Sequence, residues 1–207
     1  MAQRPIELPW LRQPTEQAGI NWSNPLTRGL VRLVVWRGVD AVDLVTGAAL
    51  NRVSTGFAAA VLSDGEGSSN TNESSYWELP VTTEARNSLS MGWVGLLAGG
   101  LSQQIVRDAS ESLGMIMFWR VSGGWQTRAG GNAGAATIAA AGTFAVGKTY
   151  AACTSIDAST ARVHVDGVQV ASGSTSGSAG SLNSPWTLHH NGTNSNGALA
   201  SSLLLAV

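Results

Sequence analysis

An alternating segment with Asp-Gly at its centre, residues 161–171, constrains the fold of this chain more than any other feature. Asp166 and Gly167 supply the two positive φ angles that a type I′ turn requires, and such a turn joins two antiparallel strands. The predicted cross-strand pairs, which place four valines on one buried face, are Val165 with Val168 and Val163 with Val170. The side chains predicted on the opposite, wet face are Arg162, His164, Gln169 and Ala171. A slip of one residue would exchange the two faces, so the valine pattern fixes the register.

Other segments predict further short strands separated by clusters of Gly, Ser and Asn, which is the pattern of an all-β domain. The predicted strand segments are residues 31–36, 76–81, 91–98, 115–119, 150–156 and 199–207. No segment keeps a 3.6-residue apolar period, and 25 glycines disfavour long helices. The sequence therefore predicts a two-sheet antiparallel β-sandwich with Trp36, Trp93 and Trp119 in its core.

Length and charge limit the classes of function. A chain of 207 residues is long enough to form one domain with a full hydrophobic core. Its 12 Lys and Arg residues and 13 Asp and Glu residues give a formal net charge of −1. Because nucleic-acid binders concentrate positive charge on one face, no nucleic-acid partner is expected. No stretch of about 18 apolar residues occurs, so no membrane span is expected. Cys153 is the only cysteine, which excludes an intramolecular disulfide and a cysteine-based metal cluster.

Residues 1–25 are predicted to form an extended N-terminal arm, followed by one domain over residues 26–207. The prolines of this segment disfavour a helix and a central strand, because proline lacks an N–H and restricts the preceding residue. Two interpretations of the arm stay open, namely packing on its own domain and contact with a neighbouring subunit. The residues expected to make such a contact are Pro5, Pro9, Trp10 and Leu11.

Three pieces around the Asp-Gly hairpin resemble the laminin-G-like, concanavalin A-like jelly-roll family. They are Gly147-Lys148-Thr149-Tyr150, the turn at 157–160 and the hairpin at 162–170. The segment Leu89-Ser-Met-Gly-Trp-Val94 resembles the tryptophan-bearing strand of the same family. The resemblance covers residues 26–207 and implies a jelly-roll fold. The acidic residues that form calcium sites in some members of the family have no clear counterpart here, so no metal is expected.

The segment Ile20-Asn-Trp-Ser-Asn-Pro-Leu-Thr-Arg-Gly-Leu30 resembles the opening of such domains encoded in bacteriophage structural genes. This resemblance implies a non-enzymatic virion structural protein on the outer surface of the capsid or tail, with capsid decoration as the leading interpretation. The expected partners are the major capsid or tail proteins, and the expected homo-oligomer is a trimer. The alternative is a carbohydrate-binding adhesin of a tail or fibre that recognises host surface polysaccharide.

Motifs that could support nucleotide binding or catalysis lack the structural context that they need. Residues 142–149 match the phosphate-binding pattern G-x-x-x-x-G-K-[ST], but the sequence that follows predicts a strand instead of the required helix. A glycan-cleaving enzyme would need two carboxylates facing one cleft. Asp64-Gly-Glu66 lies in loop sequence, and Asp40 and Asp43 have the wrong parity for one strand face. These acids are interpreted as solvated, and no catalytic residue or cofactor is expected.

Histidines and tryptophans supply the remaining candidate contacts. His189 and His190 are adjacent, so on a strand they would point to opposite faces, and His164 lies on the wet face of the hairpin. The histidines are therefore interpreted as ordinary surface or interface residues. Among eight tryptophans, Trp125 lies in a glycine-rich segment and is the candidate for an exposed ligand contact. Tryptophan suits this role because its flat apolar ring stacks on the faces of sugars.

Overall fold

The computed structural model describes the chain in segments. The described residues are 20–53, 56–62, 65–70, 75–79, 89–97, 102–108, 116–120, 124–129, 136–139, 144–145, 147–157, 160–174, 186–188 and 198–206. These residues form strands and turns, with one short 3-10 turn at Pro25–Thr27. No helix in the described segments is long and apolar enough to cross a membrane.

The described residues contain sixteen strands. In chain order they are β1 (Leu30–Arg37), β2 (Asp40–Asp43), β3 (Asn51–Val53), β4 (Phe57–Leu62), β5 (Gly65–Asn70), β6 (Tyr76–Leu79), β7 (Leu89–Leu97), β8 (Ser102–Asp108), β9 (Ile116–Arg120), β10 (Gly124–Ala129), β11 (Ala136–Ala139), β12 (Thr149–Ile156), β13 (Thr160–Val165), β14 (Val168–Ser174), β15 (Trp186–Leu188) and β16 (Ala198–Ala206).

These strands form two antiparallel sheets. The larger sheet has nine strands, seven of them in the order β14-β13-β12-β7-β16-β1-β2, while β5 pairs with β16 and β4 pairs with β5. The smaller sheet has seven strands in the order β11-β10-β9-β8-β15-β6-β3. All the described strand pairs are antiparallel. The predicted all-β, two-sheet antiparallel architecture is confirmed.

The two sheets pack face to face around tryptophan pairs that join one sheet to the other. Trp36 of β1 and Trp77 of β6 meet edge to face, with 5.8 Å between ring centroids. Trp93 of β7 and Trp125 of β10 form a second pair at 5.7 Å. Aromatic pairs in this distance range are favourable beyond the area that they bury. The predicted core positions of Trp36 and Trp93 are confirmed, whereas the side chain of Trp119 lies outside the described set.

Strand β12 shows how sequence alternation produces the inner face of the larger sheet. Tyr150, Ala152, Thr154 and Ile156 are buried, and the residues between them are half-buried or exposed. The strand is paired on both sides, with β7 and with β13, so its backbone groups are satisfied and its side-chain period is two. The predicted strand at 150–156 is therefore confirmed, with Thr149 added at its beginning.

The Asp-Gly turn has the predicted geometry. The φ angles are 50° at Asp166 and 80° at Gly167, and Val165 faces Val168 across the ladder. These positive angles are accessible to Gly and tolerated by Asp, which is why this dipeptide can close a two-residue loop.

The predicted register beyond the first pair is wrong. Val163 faces Ala171, while His164 faces Gln169, so Val170 is an extra residue in β14. This bulge is tolerated because β14 is the edge strand and needs to match a partner on one side only. As a result Ala171 packs against the core instead of lying on the wet face.

The predicted buried face of four valines is correspondingly incomplete. Val163 and Val165 are buried, at 3% and 5% exposure, and Val170 is partly buried against the core. Val168 is 64% exposed, although it faces the buried Val165. An edge strand next to a tight turn is covered poorly by the opposite sheet, so pairing alone does not bury its first residue.

The predicted N-terminal arm is described only from residue 20 onward. Residues 20–25, which fall within that arm, enter a hydrogen-bonded turn in which the Asn24 amide donates to the Asn21 carbonyl at 3.0 Å. The candidate contact residues Pro5, Pro9, Trp10 and Leu11 lie outside the described residues. The arm over 1–25, the domain over 26–207 and these contacts stay predictions.

Candidate functional site

The ligand contact expected from the sequence, Trp125, is a core residue. Its side chain is 1% exposed, and its ring lies 6.4 Å from Tyr150 and 6.1 Å from Phe144 between centroids. Gly124, with φ of 66°, begins β10, so Trp125 is already in the strand and faces the opposite sheet. The expectation that Trp125 is exposed is therefore wrong, because the glycine-rich segment ends one residue before it.

Asp43, one of the acids that the sequence offered for hydrolysis, is engaged in structural contacts. Asp43 is fully buried and its Oδ2 accepts hydrogen bonds from Arg32 at 3.2 Å and Thr46 at 2.7 Å. Its Oδ1 accepts from the amides of Leu33 and Val45, each at 3.1 Å. Asp43 is thus not the solvated acid expected from the sequence, because it ties the β1–β2 hairpin to the turn that follows.

The remaining described acids do not form a metal or catalytic cluster. Asp40 is exposed and lies 3.6 Å from Arg52, and Asp157 pairs with Arg162 at 2.8 Å. Within the described residues, no group of three or more His, Cys, Asp and Glu side chains could hold a metal ion. Glu66 lies in β5, so the prediction that it belongs to a loop is wrong. Its side chain lies outside the described residues, as does Asp64.

The segment that matches the phosphate-binding pattern supports the hairpin instead. Lys148 lies 3.4 Å from Asp166 and 4.7 Å above the ring of Tyr150. Tyr150 in turn accepts a hydrogen bond at its hydroxyl from the Ala145 amide at 2.9 Å. Strand β12 follows at once, so no helix N-terminus is available to hold a phosphate. The Gly-Lys-Thr-Tyr and Val-Asp-Gly pieces therefore contact each other and stabilise one end of the sheet.

Cys153 and His164 are neighbours on the outer face of the larger sheet, where they form a cross-strand pair. Both side chains are half-buried, and burial raises the pKa of the Cys153 thiol. A raised pKa keeps the thiol protonated and unreactive at neutral pH. His189 and His190 lie outside the described residues. The protonated Cys153 thiol is therefore a poor nucleophile in the folded protein.

Trp22 is the exposed aromatic residue of the described chain. Its side chain is 56% exposed, whereas four other tryptophans are at most 1% exposed, namely Trp36, Trp77, Trp93 and Trp125. Sequence reasoning did not single out this residue. The available signal was an aromatic residue flanked by turn-forming residues, Asn21 before it and Asn24-Pro25 after it, with no alternating run around it.

Hydrogen bonds fix the backbone on both sides of Trp22. The Asn21 side-chain oxygen accepts from the Ser23 amide at 3.1 Å and from the Ser23 hydroxyl at 2.6 Å. The Thr27 hydroxyl donates to the carbonyls of Asn24 at 2.7 Å and Asn21 at 3.2 Å. We call residues 21–28 the Trp22 turn. A turn held by its own hydrogen bonds loses less conformational entropy on binding than an unconstrained loop.

The position of the Trp22 turn follows from the register of β1. Leu30 pairs with Ala206 of β16, which in turn pairs with Ser90 of β7. Ser90 faces Ser155 near the end of β12, while the Asp166–Gly167 tip lies beside Ala151 near the beginning of that strand. The Trp22 turn and the hairpin tip are therefore at opposite ends of the larger sheet.

Comparison with known proteins identifies the fold. No protein-family model matches the chain, and no curated protein matches it. Domain 4 of AbnA, a GH43 extracellular arabinanase from Geobacillus stearothermophilus, in complex with arabinotriose, has a TM-score of 0.69 at 14% identity. That match covers 86% of this chain and 91% of the other.

Two toxin structures are also similar. The binding domain of Paraclostridial Mosquitocidal Protein 1 has a TM-score of 0.66 at 15% identity, over 87% of this chain and 49% of that one. Botulinum neurotoxin type C, whose cell entry is dependent upon interaction with two ganglioside molecules, has a TM-score of 0.61 at 9% identity, over 87% and 48%. This chain spans about half the length of these two toxin chains. The likeness shows a shared β-sandwich fold.

Proposed function

We propose that this chain is a non-catalytic glycan-binding module and that the Trp22 turn is its binding surface. The observation that carries the proposal is the 56% exposure of Trp22 within a turn closed by its own hydrogen bonds. An exposed indole offers a flat apolar face to the C–H face of a sugar ring, and neighbouring polar side chains offer hydrogen bonds to its hydroxyls. The turn supplies such groups on Asn21 and Ser23.

The fold likeness supports the same conclusion. One similar domain is in complex with arabinotriose, and a second similar chain belongs to a toxin that interacts with gangliosides. Within the described residues, Asp43, Asp157 and Asp166 pair with basic side chains, which suits a binding module better than a glycosidase, whose carboxylates face the substrate. The ligand class is a polysaccharide or glycoconjugate at a cell surface, in line with the adhesin predicted as the alternative.

A glycan array followed by calorimetry with the purified chain tests this proposal. Saturable glycan binding is expected, and Trp22→Ala is expected to weaken it about tenfold or more. Val168→Ala is the matched control, since Val168 is also a large exposed apolar side chain but lies beside the hairpin tip. Equal glycan affinities of Trp22→Ala and the unmodified chain would show that the binding site lies elsewhere on the protein. An array without any saturable binding would refute glycan recognition.

The virion role is a second candidate that concerns partners and location. Exposed tryptophan is also enriched at protein–protein hot spots, so Trp22 suits a contact with another subunit. The likeness to a domain in complex with arabinotriose favours glycan binding. The capsid or tail partners, the virion surface location and the trimer therefore stay predictions. Light scattering of the purified chain tests the trimer, and co-sedimentation with phage particles tests the partners and the location. A monomer would contradict the trimer, and a failure to co-sediment would contradict the virion partners and location.

A further inference from the structure

The Trp22 turn also contains an exposed arginine, Arg28. The Thr27 hydroxyl bonds to the Asn21 carbonyl at 3.2 Å, so the two ends of the turn lie side by side. Trp22 is the residue after Asn21, and Arg28 is the residue after Thr27. The Arg28 amide donates to the Pro25 carbonyl at 3.2 Å, which fixes the backbone at its own position. Trp22 and Arg28, both exposed, therefore lie on one small turn whose backbone is held by its own hydrogen bonds.

Arg28 lacks a carboxylate partner within the described residues. Three described arginines are paired, Arg32 with Asp43 at 3.2 Å, Arg52 with Asp40 at 3.6 Å and Arg162 with Asp157 at 2.8 Å. Arg37 is exposed and, like Arg28, has no carboxylate partner within the described residues. Residues 20–39 contain no Asp or Glu, so Arg28 has no acidic residue close to it along the chain. In a chain whose formal net charge is −1, this turn is thus a local positive site beside an exposed aromatic ring.

A guanidinium next to an aromatic face selects for a particular kind of sugar. Arginine presents a planar fork of N–H donors that matches a carboxylate with two parallel hydrogen bonds. Neutral sugars can use the ring of Trp22 but leave Arg28 without a charged partner. We propose that the Trp22 turn binds a carboxylated sugar, a uronic or sialic acid, with its ring on Trp22 and its carboxylate on Arg28. This inference rests on the proposed glycan-binding function.

The test compares matched acidic and neutral glycans. One pair is polygalacturonate and its methyl ester, which share a backbone and differ in the free carboxylate. A second pair is a sialylated oligosaccharide before and after removal of sialic acid. Sulfated oligosaccharides form a third arm, since they offer an anion of different geometry. The full chain is measured by calorimetry at low and at moderate ionic strength.

In at least one of the two glycan pairs, the acidic member is expected to bind roughly fivefold more tightly than the neutral member. This difference in affinity should shrink with added salt. Arg28→Gln is expected to abolish this difference, and Arg28→Lys to keep part of it. Arg37→Gln is the matched control, because Arg37 is exposed at the far end of β1. It should leave the preference unchanged.

Two results with the paired glycans would overturn the acidic-sugar inference and leave glycan binding in place. These are equal Trp22-dependent affinity for neutral and acidic members, and a preference that Arg28→Gln does not alter. Binding confined to sulfated ligands would also overturn it, since the anion would not be a carboxylate. The absence of binding to every glycan would refute the inference together with the proposed function. Circular dichroism of each exposed-residue variant confirms that its fold is retained.

Discussion

Asp166 and Ala151 hold the hairpin tip against the neighbouring strand through two hydrogen bonds. The Ala151 amide donates to Asp166 Oδ1 at 3.0 Å, and the Asp166 amide donates to the Ala151 carbonyl at 2.8 Å. One residue therefore closes the turn, with its positive φ, and also joins β13 to β12 beyond the last ladder pair. This double role explains why an Asp-Gly turn at this position stabilises more than its own hairpin.

Replacing Asp166 should separate these two roles. Asp166→Ala removes the side-chain acceptor and places a residue that disfavours positive φ in the turn, so a loss of about 1–2 kcal/mol is expected. Asp166→Asn keeps an acceptor and tolerates the same φ, so it should lose only the exposed pair with Lys148, at most about 1 kcal/mol. Urea denaturation measures both values. Equal losses for the two variants would contradict the hydrogen bond to Ala151.

The buried pair of Arg32 and Asp43 should be sensitive to the loss of one partner. Asp43→Ala leaves the Arg32 charge buried without its carboxylate and removes the acceptor for two backbone amides. A loss of about 3–5 kcal/mol in the free energy of unfolding is expected. Asp40→Ala is the control, since its pair with Arg52 is exposed and should contribute at most about 1 kcal/mol. Similar losses in the two variants would show that burial of Asp43 is unimportant.

A buried hydroxyl in the core should be replaceable without loss. Thr154 Oγ1 is buried and has no hydrogen-bond partner in the described residues, as is also true of Thr127 Oγ1. Valine has nearly the same shape, so Thr154→Val is expected to raise the free energy of unfolding by about 1 kcal/mol. Thr154→Ser keeps the hydroxyl, removes a methyl group and should be destabilising. If Thr154→Val is destabilising instead, a bound water molecule satisfies the hydroxyl.

The Cys153 thiol should react slowly in the folded protein. Burial raises its pKa, so the thiolate fraction at pH 8 is smaller than for a free cysteine. Alkylation by iodoacetamide is expected to be slow in buffer and fast in denaturant. The same shift predicts that stability falls as pH rises beyond about 8.5, because the thiol of the unfolded chain ionises first. Equal alkylation rates in buffer and in denaturant would contradict this burial.

Local features of the fold could be predicted because their causes are local. The turn at Asp166 and Gly167 follows from the φ angles that these two residues tolerate, and the strand from Thr149 to Ile156 follows from the alternation of its side chains. The bulge at Val170 could not be predicted, because it is tolerated in a strand that, among the described strands, pairs only with β13, and the sequence does not show which strand lies at an edge. The family resemblance at 147–170 rests on residues that contact each other. It therefore indicates the fold and not a ligand site.

The candidate site depended on the tertiary structure. Both Trp22 and Trp125 lie next to turn-forming residues in the sequence, yet Trp125 is buried against Trp93 and Trp22 is exposed. A tryptophan is buried when a strand of the opposite sheet packs over it, and that strand is distant along the chain. The sequence by itself determined the Asp-Gly turn, the all-β class and strands such as β1 and β12, which depend on backbone preference and on side-chain alternation. It did not predict β5 and β10, because their segments are rich in Gly and Ser or begin at a glycine pair. The tertiary structure decided which tryptophan faces solvent, because only the packing of one sheet on the other covers or exposes a side chain.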